Sequence, residues 1–134
     1  MRYEAVSGDE PTAGRTCVIP FWQAGMWSII AMILQKQGRR ATALIQDYPM
    51  DAEALQKYIL ICCQHPNGGL LDKPGKNRDY YHTCYCLSGL SVAQQSSATD
   101  PSVVGGKENL VKLNHPLFNI CYDSEVRARK HFCN

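Results

Sequence analysis

The chain has 134 residues, 45% of them hydrophobic and 19% charged, with 14 Lys and Arg against 12 Asp and Glu. That length allows one domain with a sizeable core and excludes multi-domain machinery, and the composition excludes a disordered tail. The net charge is +2 and the cations are scattered apart from short groups near 36–40, 73–78 and 127–130, which gives no footprint of a nucleic-acid binder.

The seven cysteines are an odd number, and the opening residues MRYEAVSGDEPTAG hold no apolar signal-peptide core, so a reducing, cytoplasmic setting is expected. In such a setting cysteines pack as small hydrophobes, bind metal or react more often than they form disulfides. The longest apolar stretch, Ala24 to Leu34, has eleven residues and points to a buried core helix, being short of the ~20 that a membrane span requires.

Residues 1–16 carry turn-forming Gly, Pro and Ser without apolar periodicity and read as an irregular lead-in. From Phe21 the apolar residues Phe21, Trp22, Gly25, Met26, Ile29, Ile30, Ile33 and Leu34 advance in fours as adjacent pairs, which predicts a helix. Ala24, Trp27, Ala31 and Met32 fill its other faces, so it is expected to be buried on most sides, and Gly38 with Arg39 and Arg40 marks its stop. A second helix fits 51–64, with Asp51 as N-cap and Leu55, Tyr58, Ile59 and Cys62 on one stripe. The turn signals Gly68-Gly69 and Pro74-Gly75 fill the loop that leads to Asp79, the N-cap of a third helix over 80–95. Gly89 inside that helix predicts close packing there. Residues 96–117 read as irregular, and a last helix starts at Asp123 or Ser124.

Laying the first helix on the third at an offset of 64 residues places Phe21 on Tyr85 and Gly25 on Gly89. Such an echo predicts an all-α fold built of repeated helical units, whose members bury their faces only against neighbours.

The densest group of chemistry-bearing residues is Tyr80-Tyr81-His82-Thr83-Cys84-Tyr85-Cys86. On a helix His82 and Cys86 share a face and Cys84 points away. No CxxC pair occurs, which argues against a zinc knuckle, and the plain reading of Cys62, Cys63, Cys84 and Cys86 is that of buried small hydrophobes. His82 sits in the first turn of its helix, where the positive end of the dipole favours the neutral, metal-ligating imidazole; a hydrogen-bonded packing histidine is the plainer alternative. Lys73, Lys76 and Arg78 could face a phosphate or form a solvated turn, the second being the simpler reading.

The run GGLLDKPGKNRDYYHTCYCLSGLSVAQ over residues 68–94 closely resembles the beta subunits of protein farnesyltransferases, as do LQKYILICCQ before it and PFWQAG at 20–25. The tract 115–134 is a looser match to their C-terminal part, and DYYHTCYC separates the chain from geranylgeranyl-transferring relatives. The resemblance implies a partial α-α toroid over 17–134, a ring of paired helices, incomplete in this chain, around an aromatic-lined cavity. It also implies zinc-dependent transfer of a farnesyl group from farnesyl diphosphate to the cysteine of C-terminal CaaX motifs, in the cytoplasm, with a helical alpha subunit as partner. By the same resemblance His82 stands at the zinc histidine and Cys17 at the zinc cysteine, while Arg15 replaces the zinc aspartate. Trp22 and Tyr85 stand at the isoprenoid pocket, Tyr81 beside the peptide substrate, and Arg15 and Lys76 at diphosphate-binding positions. Two readings compete with catalysis: a non-catalytic helical fragment or interaction module without zinc, and a redox-sensitive thiol protein built on Cys62 with Cys63 and Cys84 with Cys86.

Overall fold

A computed structural model of the chain describes residues 19–38, 51–95 and 103–133. Four helices run through them: α1 (Ile19–Lys36), α2 (Ala52–Cys62), α3 (Tyr80–Gln94) and α4 (Tyr122–Phe132), with one 3-10 turn at Lys107–Asn109. No strand occurs among the described residues; two isolated bridges, Gln64 with Leu70 and Asn114 with Cys121, close local loops. The expected lead-in over 1–16, Cys17 and the pair Arg39 and Arg40 lie outside the described residues.

The N-caps of α2 and α3 form as the sequence predicts. Asp51 accepts from Ala54 N–H at 2.9 Å and Asp79 from His82 N–H at 2.7 Å, each satisfying one backbone donor that a helix start leaves open. Gly38 follows α1 with φ 71°, the left-handed conformation that a glycine adopts after a helix without strain. α4 begins one residue before the earliest expected start, so Asp123 lies in the first turn, where its charge meets the helix dipole.

α3 packs against both α1 and α2. Between α2 and α3 the core gathers Ile59, Cys63, Leu70, Cys86 and Leu90, flanked by Leu55, Tyr58, Cys62 and Tyr85. The predicted stripe of α2 is therefore the one that faces the core. Gly89 is buried as its place in the helix requires.

The irregular segment 103–121 is a strap laid across the hairpin, held by polar side chains that the helices bury. Gln56, fully buried on α2, accepts from Val104 N–H at 3.0 Å. On α3, Gln94 accepts from Val111 N–H at 3.0 Å and donates to the Asn109 carbonyl at 2.9 Å. Ser91 donates to the Lys112 carbonyl at 2.9 Å. Buried polar groups are tolerated when their hydrogen bonds are made, and here they satisfy the backbone of a segment that has few ladder partners of its own.

α1 departs from expectation. Phe21 and Ala24 are buried, but Trp22, Met26, Ile29, Ile30, Met32 and Ile33 are exposed. α3 is the one described helix that packs on it, and a single partner covers a single stripe of a cylinder that is apolar all round.

Candidate functional site

Where α1 and α3 meet near their N-termini, their aromatic side chains form one connected face. The Trp22 and Tyr85 ring centroids lie 4.9 Å apart, Tyr85 and Tyr81 4.7 Å, and Phe21 and Tyr85 5.5 Å. Phe21 and Tyr85, paired by the 64-residue echo, thus touch in space. The helix period explains the cluster: Tyr81 and Tyr85 are four residues apart on α3, and Phe21 and Trp22 are adjacent on the stripe of α1 that meets it. Trp22 is 49% and Tyr81 50% exposed, so the face is open on one side.

His82 stands at the edge of this face, its ring against Tyr81 at 5.3 Å between centroids. Its Nδ1 lies 2.6 Å from Asp79 Oδ2, so the ring donates from Nδ1–H to that carboxylate and Nε2 is left for a second partner. Nε2 is 3.9 Å from Asp72 Oδ1, an oxygen buried in the loop before α3. The Asp79 carboxylate thus fixes the orientation of the His82 ring. Asp79 is held below the ordinary carboxylate range, first by the His82 backbone N–H and then by the His82 side chain.

The loop before α3 is fixed by its own side chains. Arg78 donates to the carbonyls of Asn67 and Gly68, and Thr83 Oγ1 accepts from Leu70 N–H at 2.9 Å and donates to the Asp79 carbonyl at 2.7 Å. Lys73 pairs with Asp72 at 3.3 Å, and Lys76 is exposed. Of the three predicted loop cations, Arg78 is thus a clamp on the preceding turn.

The cysteines divide by surroundings. Burial above all, with Cys62 and Asp72 nearby, pushes the Cys63 thiol up to about 12, which leaves it protonated and inert at neutral pH. Cys84, Cys121 and Cys133 are exposed free thiols. The packing reading therefore fails for Cys84, which faces away from the core because it lies two residues from Cys86 on a helix. Cys86 is fully buried but held in a disulfide, so it is not the reduced packing thiol that the sequence suggests.

The structure brings together Trp22, Tyr81, His82 and Tyr85, four residues that the sequence singles out as candidates. Arg15 and Cys17 lie outside the described residues, and Lys76 is on the exposed loop. Among the described residues no group of three or more His, Cys, Asp and Glu side chains is placed to hold a metal ion, so His82 fits as one ligand and the set is not complete there. Asp72 was missed, since one aspartate in a Gly- and Lys-rich loop carries no periodic signal; Asp79 was read as a cap alone.

The described residues form an all-α arrangement with an aromatic face where α1 meets α3. The chain belongs to the prenyltransferase family: the model described as the prenyltransferase alpha-alpha toroid domain matches residues 16–120. It is similar to the protein farnesyltransferase subunit beta of Pisum sativum, 50% identical over 86 residues, which are 59% of this chain and 20% of that protein. The subunit of the same name from Arabidopsis thaliana is 45% identical over 89 residues, 61% of this chain and 18% of that protein. That of Schizosaccharomyces pombe is 38% identical over 88 residues, 60% and 23% of the two chains. The match thus spans about a fifth of the length of these relatives. None of the described helices is long and apolar enough to cross a membrane.

Proposed function

We propose that this chain supplies part of the beta subunit of a protein farnesyltransferase, with residues 17–134 as the toroid portion and 1–16 as a lead-in. The observation that carries the reading is the juxtaposition of an aromatic face with an imidazole held at its edge by Asp79. An apolar wall beside a metal ligand suits a reaction that joins a prenyl chain to a thiol. Trp22 and Tyr85 would lie along the farnesyl chain of farnesyl diphosphate and exclude water from it, and Tyr81 would border the CaaX peptide. His82 and Cys17 would hold zinc, with Asp79 fixing the ring of His82. Zinc, when bound, supplies the charge that keeps a coordinated thiol in its nucleophilic thiolate form at neutral pH. Arg15 and Lys76 are the cations that would meet the diphosphate as it leaves. The cytoplasm is the expected compartment, and an alpha subunit the expected partner.

A second reading is a non-catalytic helical module without zinc. It is favoured by the incomplete ligand set among the described residues and by the fifth of the relatives' length that the match spans. The two are separated by zinc content after gel filtration, for the chain alone and co-expressed with an alpha subunit. About one zinc per chain, lost in His82→Ala and in Cys17→Ala, is the result expected for the first reading. No zinc in either preparation makes the second reading the better one.

A further inference from the structure

Neither cysteine pair that the sequence suggests, Cys62 with Cys63 or Cys84 with Cys86, is the bond that forms. The chain has seven cysteines. Cys62, Cys63, Cys84, Cys121 and Cys133 carry free thiols, and Cys86 is in a disulfide. Cys17, outside the described residues, is the one cysteine left to be its partner within the chain. Cys86 follows His82 by four residues on α3, so the two share a helix face about 6 Å apart along the axis. Cys84, two residues from Cys86, points instead to the strap, where its sulfur accepts from Asn119 Nδ2 at 3.5 Å.

We infer that Cys17 has two mutually exclusive partners on one face of α3, zinc beside His82 in the reduced chain and the Cys86 thiol in the oxidised chain, so that oxidation of this pair switches metal binding off. The zinc half rests on the function proposed above, and the pairing rests on the cysteine count alone. In the switch the Cys17 and Cys86 thiols give up two protons and two electrons as their sulfurs join. A small-molecule disulfide of the glutathione type takes these up, its own S–S bond breaking to give two thiols. Zinc needs its cysteine ligand as a thiolate, and a sulfur bonded to Cys86 is no longer one, so His82 loses that co-ligand. Disulfides in a reducing compartment are mostly transient and redox-sensing, which suits a switch better than a structural staple.

The test compares the full chain reduced with a phosphine and the same chain treated with oxidised glutathione. Each preparation is then offered zinc, passed through gel filtration and divided between metal analysis and a tryptic digest without reductant, its free thiols first blocked with iodoacetamide. In the oxidised chain fragment 16–36 is expected to be linked to fragment 79–107, with mass spectrometry placing the bond on Cys86 and not on Cys84. Zinc is expected to fall from about one per chain when reduced to none when oxidised. Cys86→Ser is expected to keep its zinc after the same oxidant. Should that variant not fold, the two preparations of the parent still decide, because both readouts are taken on them. A link from Cys17 to any other cysteine, or no link, overturns the pairing. The expected link with zinc retained in full overturns the exclusivity. Should the reduced chain hold no zinc, the proposed function and the switch fall together, and the fragment map still decides the pairing.

Discussion

The α2–α3 hairpin and α1 are both rich in apolar residues, yet only the hairpin closes a core. In the hairpin Ile59 and Cys63 meet Cys86 and Leu90 in a closed cluster, and buried polar residues hold a strap across the gap. α1 is apolar on nearly every side and packs on one of the other described helices, and Trp22, Met26, Ile29, Ile30, Met32 and Ile33 are exposed. The difference teaches that helix apolarity measures how many neighbours a helix is built for, and that a repeat unit shows unmet demand wherever a neighbour is missing. It also gives α1 a run of exposed apolar residues through which chains can associate.

The sharpest way to break the comparison is to hollow out the core side. Ile59 is fully buried among α2 and α3 residues, and Ile59→Ala is expected to destabilise the fold by about 2–5 kcal/mol, measured by urea unfolding. A loss no larger than that of an exposed α1 residue would mean that the hairpin is not the stable unit.

Gln94 comes next. It is fully buried, and its side chain serves the backbone of Val111 and Asn109 at once. Gln94→Ala leaves both groups without those bonds, at an expected cost of about 1–3 kcal/mol, with early hydrogen exchange at Val111 as the local sign. Exchange at Val111 unchanged from the parent would show that the strap is held elsewhere.

These two residues also mark what the sequence made legible. Ile59 lies on a stripe of period 3.6, and that spacing alone announces a buried face. Gln56, Ser91 and Gln94 carry no such signal, because their burial depends on a strap distant in sequence. The site divides in the same way. Trp22, Tyr81, His82 and Tyr85 were found through short, specific runs, whereas Asp72 acquires its role only when the loop folds against His82. Exposure of α1 was not legible, since apolar periodicity records a face to be covered and is silent on what covers it.

A smaller effect belongs to the start of α3, where Asp79 both caps the helix and holds His82. Its carboxyl is depressed below the ordinary value of 3.8, so ionised Asp79 contributes stability above that value that is lost as pH falls through the folded-state pKa. Asp79→Asn keeps a capping oxygen but removes the charge. The parent is expected to exceed the variant in urea midpoint at pH 7, with the gap closing as pH falls below 3.8 and through the depressed folded-state value. A gap that persists in acid would assign the effect to the shape of the side chain instead of its charge.

The smallest effect on stability, and the most telling for α1, is expected from Ile30→Ser. Ile30 is 42% exposed, so the substitution removes apolar surface that the folded chain leaves partly in water and should cost about 0.5–1 kcal/mol. The serine hydroxyl competes for backbone hydrogen bonds in non-helical conformations, which sets the sign of that small change as a loss. Solubility is expected to move the other way, because the contiguous bare surface on α1 is what brings chains together. Gel filtration over a concentration series reads this directly: the parent should shift to earlier elution as concentration rises, and the variant should shift less. If both behave alike while Ile59→Ala alone drives association, the sticky surface is the core exposed by partial unfolding, and the contrast between hairpin and α1 would have to be drawn from stability and not from exposure.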